Sequence, residues 1–246
     1  MEKKTIETFI KKYNVGGLVE KVRWTNTNNV LKASAMTVDK KLLVSVELAN
    51  FSALDGKVIG VGNTSLLMKT LVPLPDNFTL EVVTDEKDAS RVTNLVLSDE
   101  SISLIYNAHH LDQIDAEPKL KTIPPFETEV TMTEEFVGKM NQSIAALGYE
   151  NFSFVMSKKK NRLELVLGYG NHNVTSISIE APSVAGKNTV KSPISFSSKS
   201  LKSILSANSE CPNPVLKISE QGLAAIEFEK DGFKSQYYLI KVDVED

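Results

Sequence analysis

The chain has 246 residues, of which 41% are hydrophobic and 24% charged, and its net charge is −3. That length suits one large domain or two of about 120 residues, and the apolar fraction excludes wholesale disorder. The single cysteine, Cys211, excludes an internal disulfide or a multi-cysteine zinc site. The charged start MEKKTIETFIKKY is no signal peptide, and no run approaches the roughly 18 apolar residues of a membrane span. A soluble, intracellular protein without a membrane partner is expected. A uniformly acidic surface repels phosphate, so any nucleic-acid contact requires a segregated basic face.

The first predicted helix spans residues 3–14. Ile6, Phe9, Ile10 and Tyr13 fall at i, i+3, i+4 and i+7, with Lys4, Thr8, Lys11 and Lys12 on the other side and Gly16–Gly17 as the stop. Strand-like runs follow, among them Leu42–Leu48, before a second helix over about 64–72. Asn63 or Thr64 opens that helix, Leu67 and Leu71 face inward, and Pro73 ends it. Further strands are predicted at Thr79–Val83, Asn94–Leu97 and Ser101–Tyr106, with SDES (98–101) as a hairpin connection. Residues 113–127, QIDAEPKLKTIPPFE, carry three prolines and charge of both signs, too broken for a sheet interior.

The order then repeats. A third helix is predicted over about 134–147, with Thr133 as N-cap, Glu134 and Glu135 in its first turn, and Val137, Met140, Ile144 and Leu147 inward. Strands follow at Phe152–Met156, Arg162–Leu167 and Val174–Ile179, with KKKN (158–161) as a hairpin tip. The fourth helix covers about 198–207 behind Ser197 or Ser198, with Leu201, Ile204 and Leu205 inward, and strands at Val215–Ile218 and Ala224–Phe228 close the pattern. Each helix is too short to stand alone and must lie on a sheet. The fold class is α+β: two similar tandem domains, residues 1–112 and 128–246, joined by a connector at 113–127. Short helices would lie on one face of mostly antiparallel sheet.

Charge is unevenly placed. The first helix has four lysines against Glu2 and Glu7; the second has Lys69; the third has Lys139 against Glu134 and Glu135; the fourth has Lys199 and Lys202. The helices are therefore basic on a chain that is acidic overall. Lysine is also a good helix former on solvated faces, so one such helix says little. Four helices forming one layer of positive net charge, despite the acidic third, point to an anionic partner. With no base-reading helix or zinc finger, that partner would be held by its phosphates, without sequence preference.

No catalytic template is visible. His109 and His110 are adjacent beyond a strand, near Asp112 and Asp115, and point to opposite faces; His172 stands alone. GVGN (60–63) and GYGN (168–171) lack the residues of a phosphate loop and are expected to be hairpin turns. Cys211 has no base beside it. The expectation is no enzyme, no metal and no cofactor.

The C-terminal stretch reads ISFSSKSLKSILSAN, then VLKISEQGLAAIEFEKDG, then SQYYLIKV, within residues 194–242. It resembles the ending of DNA sliding clamps of the proliferating cell nuclear antigen type. Tyr237, Tyr238 and Leu239 match that family's closing residues, while Ile240 and Lys241 replace its usual Ala-Pro, as in a divergent, phage-type member. NVLKASAM (29–36) after Trp24, GNTSLLMKTL (62–71) and FETEVTMTEEFVGKMNQSI (126–144) are similar to its early strands, second helix and second-domain start.

The resemblance implies a DNA clamp fold closing into a ring, a homotrimer of two-domain subunits. It implies a polymerase processivity factor that encircles duplex DNA and tethers DNA polymerase and clamp loader through short peptide motifs. It places this activity in the nucleoid or cytoplasm of a bacterial host for a phage protein, and in the nucleus for a eukaryotic one. Lys4, Lys11, Lys12, Lys69, Lys139, Lys199 and Lys202 would face the pore. Apart from the resemblance, the run Lys158–Lys160 with Arg162 suits a backbone contact where DNA enters the ring, but a merely solvated hairpin tip is the commoner case. Met36, Val38, Leu42, Leu120, Ile123, Pro124, Leu223, Tyr238, Ile240 and Val242 would line the partner-peptide pocket, although Leu42 and Leu223 suit an ordinary core equally well. Edge strands Ser101–Tyr106 and Val174–Ile179 would join subunits. A β-rich structural or assembly protein with merely solvated lysine faces is the alternative.

Overall fold

The computed structural model describes residues 1–120, 122–157, 162–170, 174–182 and 190–243. The first half of the chain runs α1 (Lys3–Asn14), β1 (Val22–Thr27), β2 (Val30–Met36), β3 (Leu42–Leu48), β4 (Val58–Val61), α2 (Thr64–Leu71), β5 (Thr79–Thr84), β6 (Val92–Ser98) and β7 (Ser103–Asn107). A single 3₁₀ turn, Leu111–Gln113, follows. The second half runs β8 (Thr128–Thr131), α3 (Glu134–Leu147), β9 (Asn151–Ser157), β10 (Arg162–Leu167), β11 (Ile177–Glu180), β12 (Ile194–Ser197), α4 (Ser198–Ala207), β13 (Val215–Ile218), β14 (Leu223–Lys230) and β15 (Phe233–Ile240).

Two compact units form. One comprises Met1–Thr37, Leu43–Lys119 and Glu229–Ser235; the other comprises Val38–Leu42, Leu120–Phe228 and Gln236–Asp246. They are not the two continuous segments expected, because a short piece of each half belongs to the other unit.

The same topology occurs twice. After α1 come four antiparallel strands ordered β4-β1-β2-β3, and after α3 four ordered β12-β9-β10-β11. Each set is followed by a helix and a three-strand meander, β5-β6-β7 after α2 and β13-β14-β15 after α4. Even the extra strand β8, which pairs with β13, has a small counterpart in the Glu2–Asn77 bridge of the first half. The duplication lies in strand order and helix placement.

Local chemistry sets the helix ends. Asn63, Thr133 and Ser197 accept the N–H of Leu66, Phe136 and Ser200 on their side-chain oxygens, capping α2, α3 and α4. Glu20 adds a second cap to α2 by accepting from the Ser65 N–H. The stop of α1 differs from expectation. Val15, before the glycines, already takes the left-handed conformation at φ 49°, and its N–H closes on the Lys11 carbonyl.

Each unit has its own aromatic centre. Phe9 and Tyr13 of α1 meet Trp24 of β1 edge to face at 5.5 and 6.2 Å. Phe152, Phe154 and Phe196 form the corresponding cluster under Leu201 and Ile204 of α4. Burial of these side chains offsets the cost of ordering helices this short. In α3 the buried positions are Phe136 and Met140, with Val137, Ile144 and Leu147 half-buried, so its apolar stripe is rotated slightly from the predicted one.

Two strand edges and one turn also depart from the prediction. Asp99 accepts the N–H groups of Ser101 and Ile102, holding both in a turn, so the expected strand at 101 begins at Ser103. The segment expected at 174–179 becomes strand only from Ile177. GVGN is no hairpin, because Gly60 lies within β4 and Asn63 caps α2. Its glycines answer a close approach: a Cβ at Gly60 would stand 2.2 Å from the His109 carbonyl oxygen, and one at Gly62 2.2 Å from the His109 ring. Gly168 and Gly170, at φ 74° and 79°, do make a turn. Lys158–Asn161, Asn171 and His172 lie outside the described residues.

Gly60→Ala should therefore lower stability by about 1–3 kcal/mol through overpacking. Gly138→Ala, inside α3 where an added Cβ meets nothing within 4 Å, should raise it by about 0.5–1 kcal/mol. Thermal or urea melts of the two variants check both signs.

Candidate nucleic-acid interface

The helices turn their apolar stripes inward: α1 lies against β2 and α2, α2 against β7, α3 against β11, and α4 against β9 and β12. What remains outward on α1 is Lys4, half-buried Thr8 and Lys11, spaced i, i+4, i+7; on α2 the outward residues include Leu66 and Lys69. The outward stripe of α3 is Glu135, Lys139, Gln142 and Ala146, with exposed Glu134 beside it. That of α4 is Lys199, Lys202 and Ser206. Six of the seven predicted lysines are thus exposed on helices.

Lys12 is the exception and a correction to the predicted set. It is 2% exposed, with Nζ 5.7 Å from the centre of the Phe233 ring. At about 100° per residue, Lys12 lies roughly 110° from the middle of the apolar stripe, whereas Lys4 and Lys11 lie nearly opposite it. It is a flank residue, and the chain at Phe233 covers that flank. Lys3 is also taken by the fold: its ammonium donates to the Val72 and Leu74 carbonyls at 2.9 Å each, just past the end of α2, where the helix dipole favours a cation. Lys139 is exposed but donates to Glu135 Oε1 at 2.6 Å, one turn back. This bond holds the Glu135 carboxyl below the usual carboxylate range.

The residues predicted for a peptide pocket divide by burial. Val38 is 99% exposed and Ile123 50%. Leu120, Pro124, Ile240 and Val242 are half-buried, as is Met36, which belongs to the first unit while the others belong to the second. Leu42, at 0%, is core and presents no surface to a partner; Leu223 and Tyr238, at 9% and 7%, offer a rim at most. The second unit does tie the 38–42 segment to the chain end. The Ile240 N–H donates to the Lys41 carbonyl and Lys41 Nζ to the Lys241 carbonyl, while the N–H groups of Lys241 and Val242 donate to Gly222 and Ser195. Gly222, at φ 87°, makes room for the Lys241 side chain.

Sequence reasoning missed what holds the start of the connector. Arg23 donates through its guanidinium to the Leu111 and Ile114 carbonyls, and Ile114 is buried. Lys32 pairs with Glu117 at 2.8 Å and Glu47 at 3.5 Å, and the hydrogen bond to Glu117 raises its pKa. These partners are too far apart in sequence for local pattern to find.

His109 lies against Gly62, and its N–H donates to the Gly60 carbonyl. His110 meets the Arg91 guanidinium and stands 4.0 Å from Asp112. Among the described residues no group of three or more His, Cys, Asp or Glu is placed to hold a metal, and no helix is long and apolar enough to cross a membrane.

No protein-family model matches the chain, and no curated protein does. Solved structures do. Proliferating Cellular Nuclear Antigen from Entamoeba histolytica matches at TM-score 0.71 and 17% identity, covering 98% of this chain and 96% of that one. The PCNA2–PCNA3 complex from Sulfolobus tokodaii matches at 0.69 and 12%, covering 98% and 97%. A. fulgidus PCNA, bound to the C-terminal region of FEN-1, matches at 0.70 and 15%, covering 100% and 98%. The fold is that of the PCNA clamps. At these identities the comparison carries architecture and no individual site residue.

If Lys12 serves the fold, Lys12→Ala should cost about 1–2 kcal/mol through lost packing and ring contact. Lys11→Ala, one residue away and exposed, should stay within about 0.5 kcal/mol. Paired thermal melts distinguish them.

Proposed function

We propose that the protein is a sliding clamp, a processivity factor that encircles duplex DNA and tethers a DNA polymerase without reading sequence. The observation that carries this reading is the duplicated clamp fold with lysines on the outward faces of its helices, on a chain of net charge −3. An acidic body with a basic helical layer attracts DNA to that layer and repels it elsewhere. Lys4, Lys11, Lys69, Lys199 and Lys202 would meet phosphates, giving weak, salt-sensitive contact that leaves the ring free to move.

The ring would be a homotrimer of two-domain subunits. β7 and β11 each end a sheet within their own unit, and joining β7 of one copy to β11 of the next would pair two otherwise open edges. Ile105 on β7, 64% exposed, would be covered there. The clamp would act inside the cell, where duplex DNA and its polymerase are found, and the Ile240–Lys241 ending fits a phage-type member. Polymerase and clamp loader would dock through short peptides against Val38, Leu120, Ile123, Pro124, Ile240 and Val242. The A. fulgidus neighbour, seen with the FEN-1 C-terminal region, supports that mode of partner capture.

Loading onto nicked circular DNA followed by linearisation tests the central claim. The protein should be retained on circles and lost from linear molecules, with a native mass of three chains; a monomeric mass or retention after linearisation would count against a ring. Ile123→Asp should reduce capture of a polymerase-tail peptide at least tenfold, read by calorimetric titration, with an unchanged melting temperature because Ile123 is exposed.

A further inference from the structure

We propose that of the two helices of the second unit only α4 carries phosphate contacts, and that the glutamates of α3 hold their own helix out of DNA binding. This rests on the reading of the helical faces as a DNA-facing surface, and it sets the two units apart in what each contributes.

α3 has one cation, Lys139, and its ammonium is already engaged 2.6 Å from Glu135 Oε1. A glutamate four residues before a lysine is the favourable orientation for such a pair. Glu134 and Glu135 both stand exposed in the first turn, where the dipole favours carboxylates and where an anion would otherwise find free N–H groups. Thr133 has taken the Phe136 N–H as well. A phosphate approaching α3 would have to displace a charge-assisted hydrogen bond and then lie beside two carboxylates. The rest of the outward stripe, Gln142 and Ala146, supplies no charge.

α4 is the reverse. Lys199 and Lys202 stand one turn apart on its exposed face, the helix contains no acidic residue, and its N-terminus is capped by the neutral Ser197. The two helices share a cleft of about 520 Å³ with Glu134 and Lys202 both on its lining. Glu134 therefore stands at the border of Lys202 and lowers the local positive potential there. In the first unit no such neutralisation occurs at Lys4, Lys11 or Lys69, for which no carboxylate partner within ion-pair distance is seen among the described residues. The glutamates limit how tightly the surface holds phosphate, which favours sliding over sticking.

The test is anisotropy of a short linear duplex titrated with the full chain over a range of salt, run beside retention on nicked circles. Lys199→Ala and Lys202→Ala should each reduce the slope of log K against log salt by about 0.9. Lys139→Ala should leave the slope unchanged and lower affinity less than Lys202→Ala does, through the charge it leaves on Glu135. Glu134→Gln with Glu135→Gln should raise affinity at low salt by about 3- to 10-fold and slow escape from linear DNA. All five positions are exposed, and circular dichroism melts verify that the variants fold. A Lys139→Ala loss equal to that of Lys202→Ala, or a glutamine pair that leaves affinity unchanged, overturns the proposal. A parent chain that is never retained on circles overturns the clamp reading itself, a result distinct from either.

Discussion

The structure depends on one constraint: each helix has too few apolar residues to stand alone, so each must turn its apolar stripe onto the elements packed beneath it. Ile6, Phe9, Ile10 and Tyr13 on α1, and Leu201 and Ile204 on α4, are all at most 2% exposed. Once that stripe is committed, the opposite side has only one place to go. Lysine is tolerated there because it is a good helix former and keeps its charge in water. The outward polar face of each helix is thus a direct consequence of packing, and the elements beneath it fix its orientation.

The same constraint accounts for the repetition. A four-strand set ordered 4-1-2-3 offers one broad face for the first helix of each half. The second helix packs differently in the two halves, α2 against β7 and α4 against β9 and β12. Caps at Asn63, Thr133 and Ser197 let the helices begin without leaving their first N–H groups unpaired. The two halves share these devices while their side chains differ, as Trp24 with Phe9 and Tyr13 replaces a trio of phenylalanines. Architecture is conserved between the halves by hydrogen-bonded strand order, and each core is packed in its own way.

Helix positions were legible from sequence because their determinants are local. A cap, an apolar period and a terminating residue lie within or beside one helix length, so α1, α3 and α4 were placed close to their observed bounds, although Val15 and not the following glycines ends α1. Contacts across long stretches of chain were not. Lys12 reads as solvated until Phe233 covers it, and Gly60 and Gly62 read as a turn until His109 is laid across them. Leu42 is apolar in either a core or a pocket, and only its full burial decides between them. Arg23 gave no signal, since its partners at 111 and 114 lie some ninety positions away. The strand at 174 was overextended because β-branched residues mark strand character more reliably than strand ends.

Charge can be divided into two classes by what the fold does with it. Lys3, Lys12, Arg23 and Lys32 lie against carbonyls, a ring or a carboxylate and hold the chain together. Lys4, Lys11, Lys69, Lys199 and Lys202 have their side chains in water. Composition counts both classes alike, and so overstates the basic surface of α1, where two of four lysines are structural. The distinction matters physically. A cation already hydrogen-bonded within the protein must lose that bond before it neutralises a phosphate, whereas a solvated one releases only water and counterions. Sequence can locate a basic layer, but only the partners of each ammonium tell how much of its charge is left to offer.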